Sequence, residues 1–207
     1  FSMIFAPVGL GIGIYAFYYC SSLTSINIPD GVTSIGSYVF NSCSSLTSIV
    51  IPDSVTSIGK HAFNYCTGLT DVVIGSGCTS IGEYAFQSCS GLTDVVIPDS
   101  VKTIGNAAFR NCSGLKSITI GSGCTNLGDC VFDQATKLHS IDCKSYSAPS
   151  ITSNTFSGIT AYGILTYPNT SNYDEWLSED LHYLGYYHWN KPIPRIIATY
   201  NITTTKT

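Results

Sequence analysis

The sequence has few charged residues and no cluster of basic ones. Only 11% of its 207 residues are charged, its 9 Lys and Arg residues are scattered, and its formal net charge is −4. A surface that binds nucleic acid needs clustered Lys and Arg to neutralise phosphates. The composition therefore excludes a nucleic-acid partner. Ser, Thr, Asn, Gly and Tyr must cover much of the surface, which suits an uncharged or glycan-rich environment.

A long apolar run is also missing. No stretch reaches the roughly 18 uninterrupted apolar residues that a membrane span requires, so the sequence predicts none. The segment Met3 to Tyr19 is apolar, but no basic residue precedes its apolar run and its Ile12-Gly13 pair matches the repeat described below. We interpret the segment as a first coil and not as a signal sequence. We expect targeting information to be absent from the chain.

Motifs for catalysis, metals and cofactors are absent as well. No Gly-x-Ser-x-Gly elbow occurs, and the Gly-rich start from Gly9 to Gly13 lacks the last glycine and the following helix of a dinucleotide site. The 9 cysteines include no Cys-x-x-Cys pair, which zinc sites commonly use. Of the histidines, only His182 and His188 lie close together, and their spacing matches no metal motif. The sequence therefore predicts no enzyme, no metal and no cofactor.

What the sequence does contain is a repeat with a step of 23 residues, represented by Ser45 to Gly68. The step links three columns: Phe17, Phe40, Phe63, Phe86, Phe109 and Phe132; Leu23, Leu46, Leu69, Leu92, Leu115 and Leu138; and Ile12, Ile35, Ile58, Ile81, Ile104 and Leu127. A fixed period of about 20 to 29 residues is typical of a leucine-rich-repeat-like solenoid.

A single repeat cannot fold alone. It buries about six large apolar side chains, worth about 1.5–3 kcal/mol each. Ordering its backbone costs about 1–2 kcal/mol for every residue. Only stacking, which buries the apolar edge of each coil against the next, makes the array stable.

Each repeat predicts short strands on two walls of the solenoid. Ile49 and Ile51 alternate with polar or exposed positions, which is the pattern of a strand with one face in the core. Pro52 ends this strand. Val55 and Ile58 then predict a short extended segment on another wall.

The last part of each repeat predicts a helical turn and a column of thiols. After Gly59, the spacing of Ala62, Phe63 and Cys66 is helical, so we expect one or two turns of α or 3₁₀ helix on the outer side. We expect the cysteines to be reduced, buried and to act as small hydrophobes, because stacked parallel Cα–Cβ bonds do not aim the sulfurs at each other. These cysteines are Cys20, Cys43, Cys66, Cys89 and Cys112.

The repeat resembles those of the BspA-like leucine-rich repeat surface proteins of host-associated bacteria and some parasitic protists. The resemblance rests on Leu46 to Gly59, Leu-Thr-Ser-Ile-Val-Ile-Pro-Asp-Ser-Val-Thr-Ser-Ile-Gly, followed by Ala62-Phe63-x-x-Cys66. It runs from about Ile12 to Phe156. It implies a secreted or surface-attached protein without enzymatic activity that serves adhesion or ligand binding.

The repeat gives way to a cap near the end of the chain. The register changes by one residue near Ser147 to Ser150, and a final strand follows over Gly163 to Pro168. A short helix is then predicted behind a possible N-cap at Asn172. Its apolar residues are Tyr173, Trp176, Leu177, Leu181 and Leu184. The ending also resembles the terminal cap of the same family.

The predicted architecture is an α+β repeat solenoid, a right-handed leucine-rich-repeat coil with short parallel strands and short outer helical turns. We expect about six to seven coils over residues 1–159 and a C-terminal cap with a strand and a short helix over 160–190. Residues 191–207, first Pro-containing and then Thr-rich, predict an exit strand or a linker to further domains.

The candidate ligand-binding site is a stripe of exposed strand residues, since equivalent positions of a solenoid stack into a continuous surface. Val50, Val73 and Val96 occupy the outward position between two core residues in three successive repeats, with Asp71 and Asp94 beside them. An apolar stripe edged by carboxylates suits a protein partner. β-Branched residues also favour strands for reasons unrelated to binding.

Two other functions remain open. Aromatic residues crowd the cap, and a carbohydrate site there would use Trp176, Tyr186, Tyr187 and Trp189. Rings that stack on sugars must be exposed, so the burial of the two tryptophans discriminates. A third possibility is a structural spacer that displays other domains. The leading hypothesis is an extracellular or cell-surface adhesion module that recognises a host or matrix protein, with a glycan ligand as the alternative.

Overall fold

The computed structural model describes residues 10–168, 172–180 and 182–189. A partial coil starting at Leu10 precedes six full coils. Coils 1 to 6 begin at Leu23, Leu46, Leu69, Leu92, Leu115 and Leu138. Leu181 of the predicted cap helix and the predicted exit strand or linker over 191–207 lie outside the described residues.

The described residues form a parallel-strand solenoid. In chain order its strands are β1 (Ser34–Ile35), β2 (Ser48–Ile51), β3 (Ser57–Ile58), β4 (Asp71–Ile74), β5 (Ser80–Ile81), β6 (Asp94–Val96), β7 (Thr103–Ile104), β8 (Ser117–Ile120), β9 (Asn126–Leu127), β10 (Ser140–Cys143) and β11 (Ile164–Thr166). The even-numbered strands and β11 form the first wall, whose solvent side we call the strand face. The odd-numbered strands β1 to β9 form the second wall.

Equivalent residues of successive coils lie directly over one another, as the repeat predicts. Ile51 pairs with Ile74 on the first wall, and Ile58 pairs with Ile81 on the second. The Phe63 and Phe86 rings stack with their centroids 5.1 Å apart. The phenylalanine column continues through coil 6 to Phe156, where the indole of Trp176 closes it at 5.2 Å.

The third wall, which we call the turn wall, contradicts the predicted helical turns. Two residues of the partial coil and of each of coils 1 to 5 adopt left-handed backbone conformations, among them His61 (φ 54°) and Tyr65 (φ 58°) of coil 2. L-residues in this conformation cannot continue a right-handed helix. The described chain is therefore all β-strand and turn, and the α+β class is wrong.

Hydrogen bonds between coils explain why turns replace a helix. Along coil 2 the backbone N–H groups alternate in direction: Phe63 donates to Ala85 of the next coil at 2.7 Å, whereas Asn64 donates to His61 in its own coil at 3.3 Å. An α-helix would keep every such bond within its own segment. Because the direction alternates, every second N–H group donates to a neighbouring coil. The Ala62, Phe63 and Cys66 side chains are buried in this arrangement as well.

The thiol column is reduced and mostly buried. No disulfide joins any of the 9 cysteines. Cys43, Cys66, Cys89 and Cys112 are buried, and each S–H donates to a phenylalanine carbonyl 26 positions earlier at 3.1 Å. Cys20 is exposed, so the prediction of burial is wrong there. Its thiol lies in the partial coil, which no described coil covers on the N-terminal side.

The cap is built differently from the prediction. Strand β11 pairs with β10, with Leu165 beside Ile141, but the segment after Asn172 forms turns instead of a helix. The Leu184 N–H reaches back to the Trp176 carbonyl at 2.9 Å, so the chain doubles back here. Asn172 is not an N-cap, because its Oδ1 accepts from the Ala148 N–H of coil 6 at 3.0 Å.

Candidate functional site

The strand face carries an exposed apolar stripe across coils 2 to 4. The Val50, Val73 and Val96 side chains are 60%, 57% and 59% exposed, although the residues on either side of each are buried, or half-buried in the case of Val72. Val50 pairs with Val73 in register. The same column carries Asn27 before the stripe and Thr119 after it. We call the three valines the valine stripe.

Two carboxylates edge the stripe at the start of strands β4 and β6. Asp71 and Asp94 are exposed on adjacent coils. The Thr70 hydroxyl donates to Asp71 Oδ2 at 2.6 Å, and the Ser117 hydroxyl donates to Asp94. The hydrogen bond from Ser117 lowers the pKa of Asp94, which therefore stays ionised in mildly acidic solution. The stripe thus has a negative edge whose positions are fixed by hydroxyl groups.

The first wall is interrupted between these two carboxylates. Among the described residues, β2 and β4 form one sheet and β6, β8, β10 and β11 form another, so no ladder joins β4 to β6. Asp71 and Asp94 occupy equivalent positions on the two strands, and like charges opposite each other disfavour pairing. Val72 is half-buried at this break, whereas its equivalents Ile49 and Val95 are buried.

A groove follows the stripe toward the end of the strands. It has a volume of about 610 Å³ and is bounded by Val50 and Val73 on one side and by the corner residues Pro52, Gly75 and Pro98 on the other. Gly75 has no side chain because a Cβ there would lie 2.5 Å from the Pro52 carbonyl carbon. The corner of coil 3 therefore leaves a notch between the prolines of coils 2 and 4.

Asp30 and Asp53 form the outer rim of this groove. Both side chains are exposed. Asp53 Oδ1 accepts from the Ser76 N–H at 2.6 Å and from the Ser76 hydroxyl at 3.0 Å, which fixes the carboxylate above the corner of coil 3. The sequence had indicated the valines and their two carboxylates, but it did not indicate the groove or this second acidic rim.

The cap places the predicted carbohydrate-contact residues mostly inside. Trp176 is fully buried and donates to the Pro149 carbonyl at 2.9 Å, and Trp189 is buried and donates to the Thr160 carbonyl at 3.0 Å. Tyr187 is half-buried with its hydroxyl accepting from the Gly158 N–H at 2.8 Å. Only Tyr186 is exposed. Neither indole can therefore stack on a sugar. A shallow cavity of about 430 Å³ does lie beside the two tyrosines.

The histidines do not form a metal site. In the part of the chain that the structure describes, no three His, Cys, Asp or Glu side chains lie close enough to hold a metal ion. His188 instead stacks on the Tyr162 ring at 5.6 Å. Among the described residues there is also no helix long and apolar enough to cross a membrane.

A second column of stacked side chains, which the sequence analysis missed, lies on the turn wall and is exposed at Tyr15 and half-buried in coils 1 to 3. Tyr15, Tyr38, His61 and Tyr84 stack with ring centroids 4.9, 4.7 and 4.6 Å apart. Their 23-residue step was the signal that could have revealed the column. Burial, and then the nearby Lys60 ammonium, lowers the pKa of His61. The imidazole Nδ1 lies 2.6 Å from the Asn64 amide nitrogen, so the neutral ring accepts that hydrogen bond.

The chain matches a known family of repeats over most of its length. The family described as "BspA type Leucine rich repeat region" matches residues 10–105 and 79–176, in 6 copies. No curated protein matches the chain.

Solved structures of bacterial repeat proteins are similar to this chain. A leucine-rich repeat protein from T. pallidum shares 36% identity and a TM-score of 0.65, over 68% of this chain and 67% of its own. A leucine-rich repeat protein from Bacteroides ovatus shares 25% identity, with a TM-score of 0.47, over 83% of this chain and 56% of its own.

A third structure supports the fold alone. The pneumococcal vaccine antigen PcpA shares 21% identity and a TM-score of 0.58, over 75% of this chain and 38% of its own. With repeats matched from residue 10 to residue 176 and a leucine-rich-repeat relative of 36% identity, the chain belongs to the BspA-type leucine-rich repeat family.

Proposed function

We propose that the protein is a cell-surface binding module that holds a host or matrix protein on its strand face. The valine stripe forms the apolar centre of the contact, and Asp71 and Asp94 orient the partner. The observation that carries the proposal is the exposure of three valines at equivalent positions of adjacent coils, each more than half exposed. Membership of a family of bacterial surface proteins supports this location and this class of function.

The dimensions of the stripe suit a small, specific contact. Adjacent strands lie about 4.8 Å apart, so the three valines span roughly 10 Å across the coils. A surface of this kind loses water readily when an apolar side chain covers it. The carboxylates favour a partner that bears Lys or Arg opposite them, mainly by speeding association and fixing orientation.

A carbohydrate site in the cap is the weaker candidate. It would depend on Tyr186 and Tyr187, because the Trp176 and Trp189 rings are buried and hydrogen-bonded to backbone carbonyls. The cavity beside the two tyrosines is the observation that favours it.

The two candidates can be separated by one experiment. The purified protein is screened on an array of extracellular-matrix proteins and glycans, and each hit is measured again with Val73→Glu, with Thr119→Glu and with Tyr186→Ala. Val73→Glu places a charge in the valine stripe, whereas Thr119→Glu places the same charge on the same column in coil 5. We expect binding to fall at least about tenfold for the first and to be retained for the second.

Two results would overturn the proposal. A protein ligand that binds Val73→Glu as well as the parent does not use the strand face. A glycan ligand that is lost in Tyr186→Ala and retained in Val73→Glu identifies the cap as the site. With a true strand-face ligand, the double variant of Asp71→Asn and Asp94→Asn slows association and reduces its dependence on salt.

A further inference from the structure

The strand face of coils 1 to 4 has carboxylates on both sides of its apolar groove. Asp71 and Asp94 stand where the strands begin, and Asp30 and Asp53 stand at the corner where they end. The groove between them is lined mainly by valine, isoleucine and proline, with Asn27 and Ser76 as its uncharged polar residues. The surface is therefore a hydrophobic strip between two negative rims.

Among the described residues, no Lys or Arg forms an ion pair with these rims, although the Lys116 charge contributes to lowering the pKa of Asp94 after its hydrogen bonds. Lys60 lies on the turn wall and pairs with Glu83 at 2.8 Å. Arg110 lies on the turn wall and pairs with Asp133 at 2.9 Å. Lys102 begins the second-wall segment of coil 4 and donates its backbone N–H to Thr79. Among the described residues of the strand face, the first Lys or Arg is Lys116 of coil 5. The rim carboxylates are therefore available to form ion pairs with a partner.

The two rims are separated by a distance that an extended peptide matches. Asp71 and Ser76, the corner residue on which the Asp53 carboxylate is held, are five residues apart along coil 3. Five extended residues at about 3.3 Å each span roughly 17 Å, and the turn at the corner makes the separation shorter than this. In an extended peptide, residues i and i+4 lie about 13 Å apart and point to the same side, with residue i+2 between them on that side.

We propose that the groove holds an extended protein segment with the pattern basic, any, apolar, any, basic, running along the direction of the strands. The apolar side chain of position i+2 lies on Val50 and Val73 and enters the notch at Gly75. One basic side chain meets Asp71 and Asp94, and the other meets Asp30 and Asp53. This inference rests on the proposed function, because it names the kind of partner that the strand face takes.

The structure offers a matched control for the corner rim. Asp99 of coil 4 occupies the position equivalent to Asp53 and likewise accepts a backbone N–H, that of Ser122 at 2.7 Å. It does not line the groove, and the nearby Lys144 contributes to lowering the pKa of Asp99 after its hydrogen bonds. Replacing Asp53 or Asp99 by Asn therefore perturbs the corner in the same way, but only the first removes charge from the groove.

The test uses fluorescently labelled peptides and the whole chain. The patterned peptide contains Lys-Thr-Leu-Thr-Lys, and its control contains the same residues as Lys-Lys-Leu-Thr-Thr. Binding is measured by fluorescence anisotropy at low ionic strength. We expect the patterned peptide to bind at least about tenfold more tightly than the control, Asp53→Asn to weaken it about three- to tenfold, and Asp99→Asn to leave it unchanged. Added salt should reduce the affinity of the patterned peptide.

The failures of the two proposals are distinguishable. Equal binding of the two peptides, no binding of either, or equal effects of Asp53→Asn and Asp99→Asn overturns the patterned segment. The proposed function is then tested separately, by whether a matrix protein binds and whether Val73→Glu weakens that binding. If the patterned peptide binds Val73→Glu and the parent equally, the groove is not its site and the inference fails.

Discussion

The interior and the strand face of this solenoid differ in how their residues vary from coil to coil. The interior columns stay apolar from coil to coil, and the phenylalanine stack from Phe17 to Phe156 keeps one residue type throughout. The strand face changes its chemistry at coil 5, where Thr119 follows Val96 and Lys116 enters the neighbouring column. The backbone of the two halves is the same, since Val96 and Thr119 pair in register.

The difference separates what the fold requires from what it permits. An interior column must present matching shapes on both sides of every coil, so each change there affects two interfaces. An outward strand position contacts solvent and tolerates any side chain that an extended backbone accepts. A surface that nevertheless stays apolar for three coils and then turns polar is therefore a better indicator of function than the regular core.

The largest effect is expected from truncating the interior column. Phe86→Ala removes a fully buried ring that stacks on Phe63 at 5.1 Å and on Phe109 at 5.3 Å. It should reduce the free energy of unfolding by about 3–5 kcal/mol. Phe132→Ala, which truncates a fully buried ring of coil 5 on the other side of the change in the strand face, should cost a similar amount. Urea unfolding measures both, and a cost below about 1 kcal/mol for either would show that the column is not uniform.

The second-largest effect is expected at alkaline pH, which should lower the free energy of unfolding. Burial raises the pKa of Cys112 to about 12, from 9.0. When folding raises the pKa of a thiol, the free energy of unfolding is unaffected below the unfolded pKa. It falls as the pH rises from the unfolded pKa to the folded pKa. Between pH 9 and 12 each such thiol should lower the free energy of unfolding by about 1.4 kcal/mol for every pH unit. Cys112→Ala should make this dependence shallower, and an unchanged slope would contradict the assignment.

A smaller effect is expected for removing one thiol at neutral pH. Cys66 is fully buried, and its S–H donates to the Phe40 carbonyl at 3.1 Å. Cys66→Ala should cost about 1 kcal/mol, by analogy with other small core deletions. In the native protein, iodoacetamide should modify the exposed Cys20 quickly and Cys66 only after unfolding. Equal rates for the two thiols would place Cys66 outside the core.

Exchanging residues between the two halves of the strand face should change stability least. Val96→Thr and Thr119→Val move the boundary between the apolar and polar halves by one coil. Both positions point outward, so each change should stay within about 0.5 kcal/mol in thermal or urea unfolding. Under the proposed function, Val96→Thr weakens ligand binding, whereas Thr119→Val does not. A loss of more than about 2 kcal/mol would show that the stripe stabilises the fold.

The interior was predictable from the sequence because its columns need only a fixed step. The backbone conformation of the turn wall was not predictable, because Ala62, Phe63 and Cys66 have the same spacing in a helix and in a chain of turns. The choice is made by hydrogen bonds to neighbouring coils, which place non-glycine residues such as His61 and Tyr65 in the left-handed region. No local pattern in the sequence announces those conformations.

The candidate site was predictable in part for a related reason. The valines and the carboxylates beside them follow from counting positions, because alternate strand residues point outward. The groove depends on how closely Gly75 approaches the backbone of coil 2, and the burial of Trp176 depends on how the cap folds back onto coil 6. Both are properties of the packed chain and not of its periodicity.

The break between β4 and β6 has a mechanical consequence. When a solenoid is pulled along its axis, tension passes from coil to coil through the hydrogen bonds of its walls. Between coils 3 and 4 the second wall and the turn wall carry that load, for example through Ile81 beside Ile104 and through the Tyr84 N–H on the Asn106 carbonyl at 2.8 Å. Among the described residues, no ladder of the first wall joins the two coils at this point. Under tension we expect the solenoid to hinge open here and to separate Val73 from Val96, so that force on the protein changes the geometry of the valine stripe.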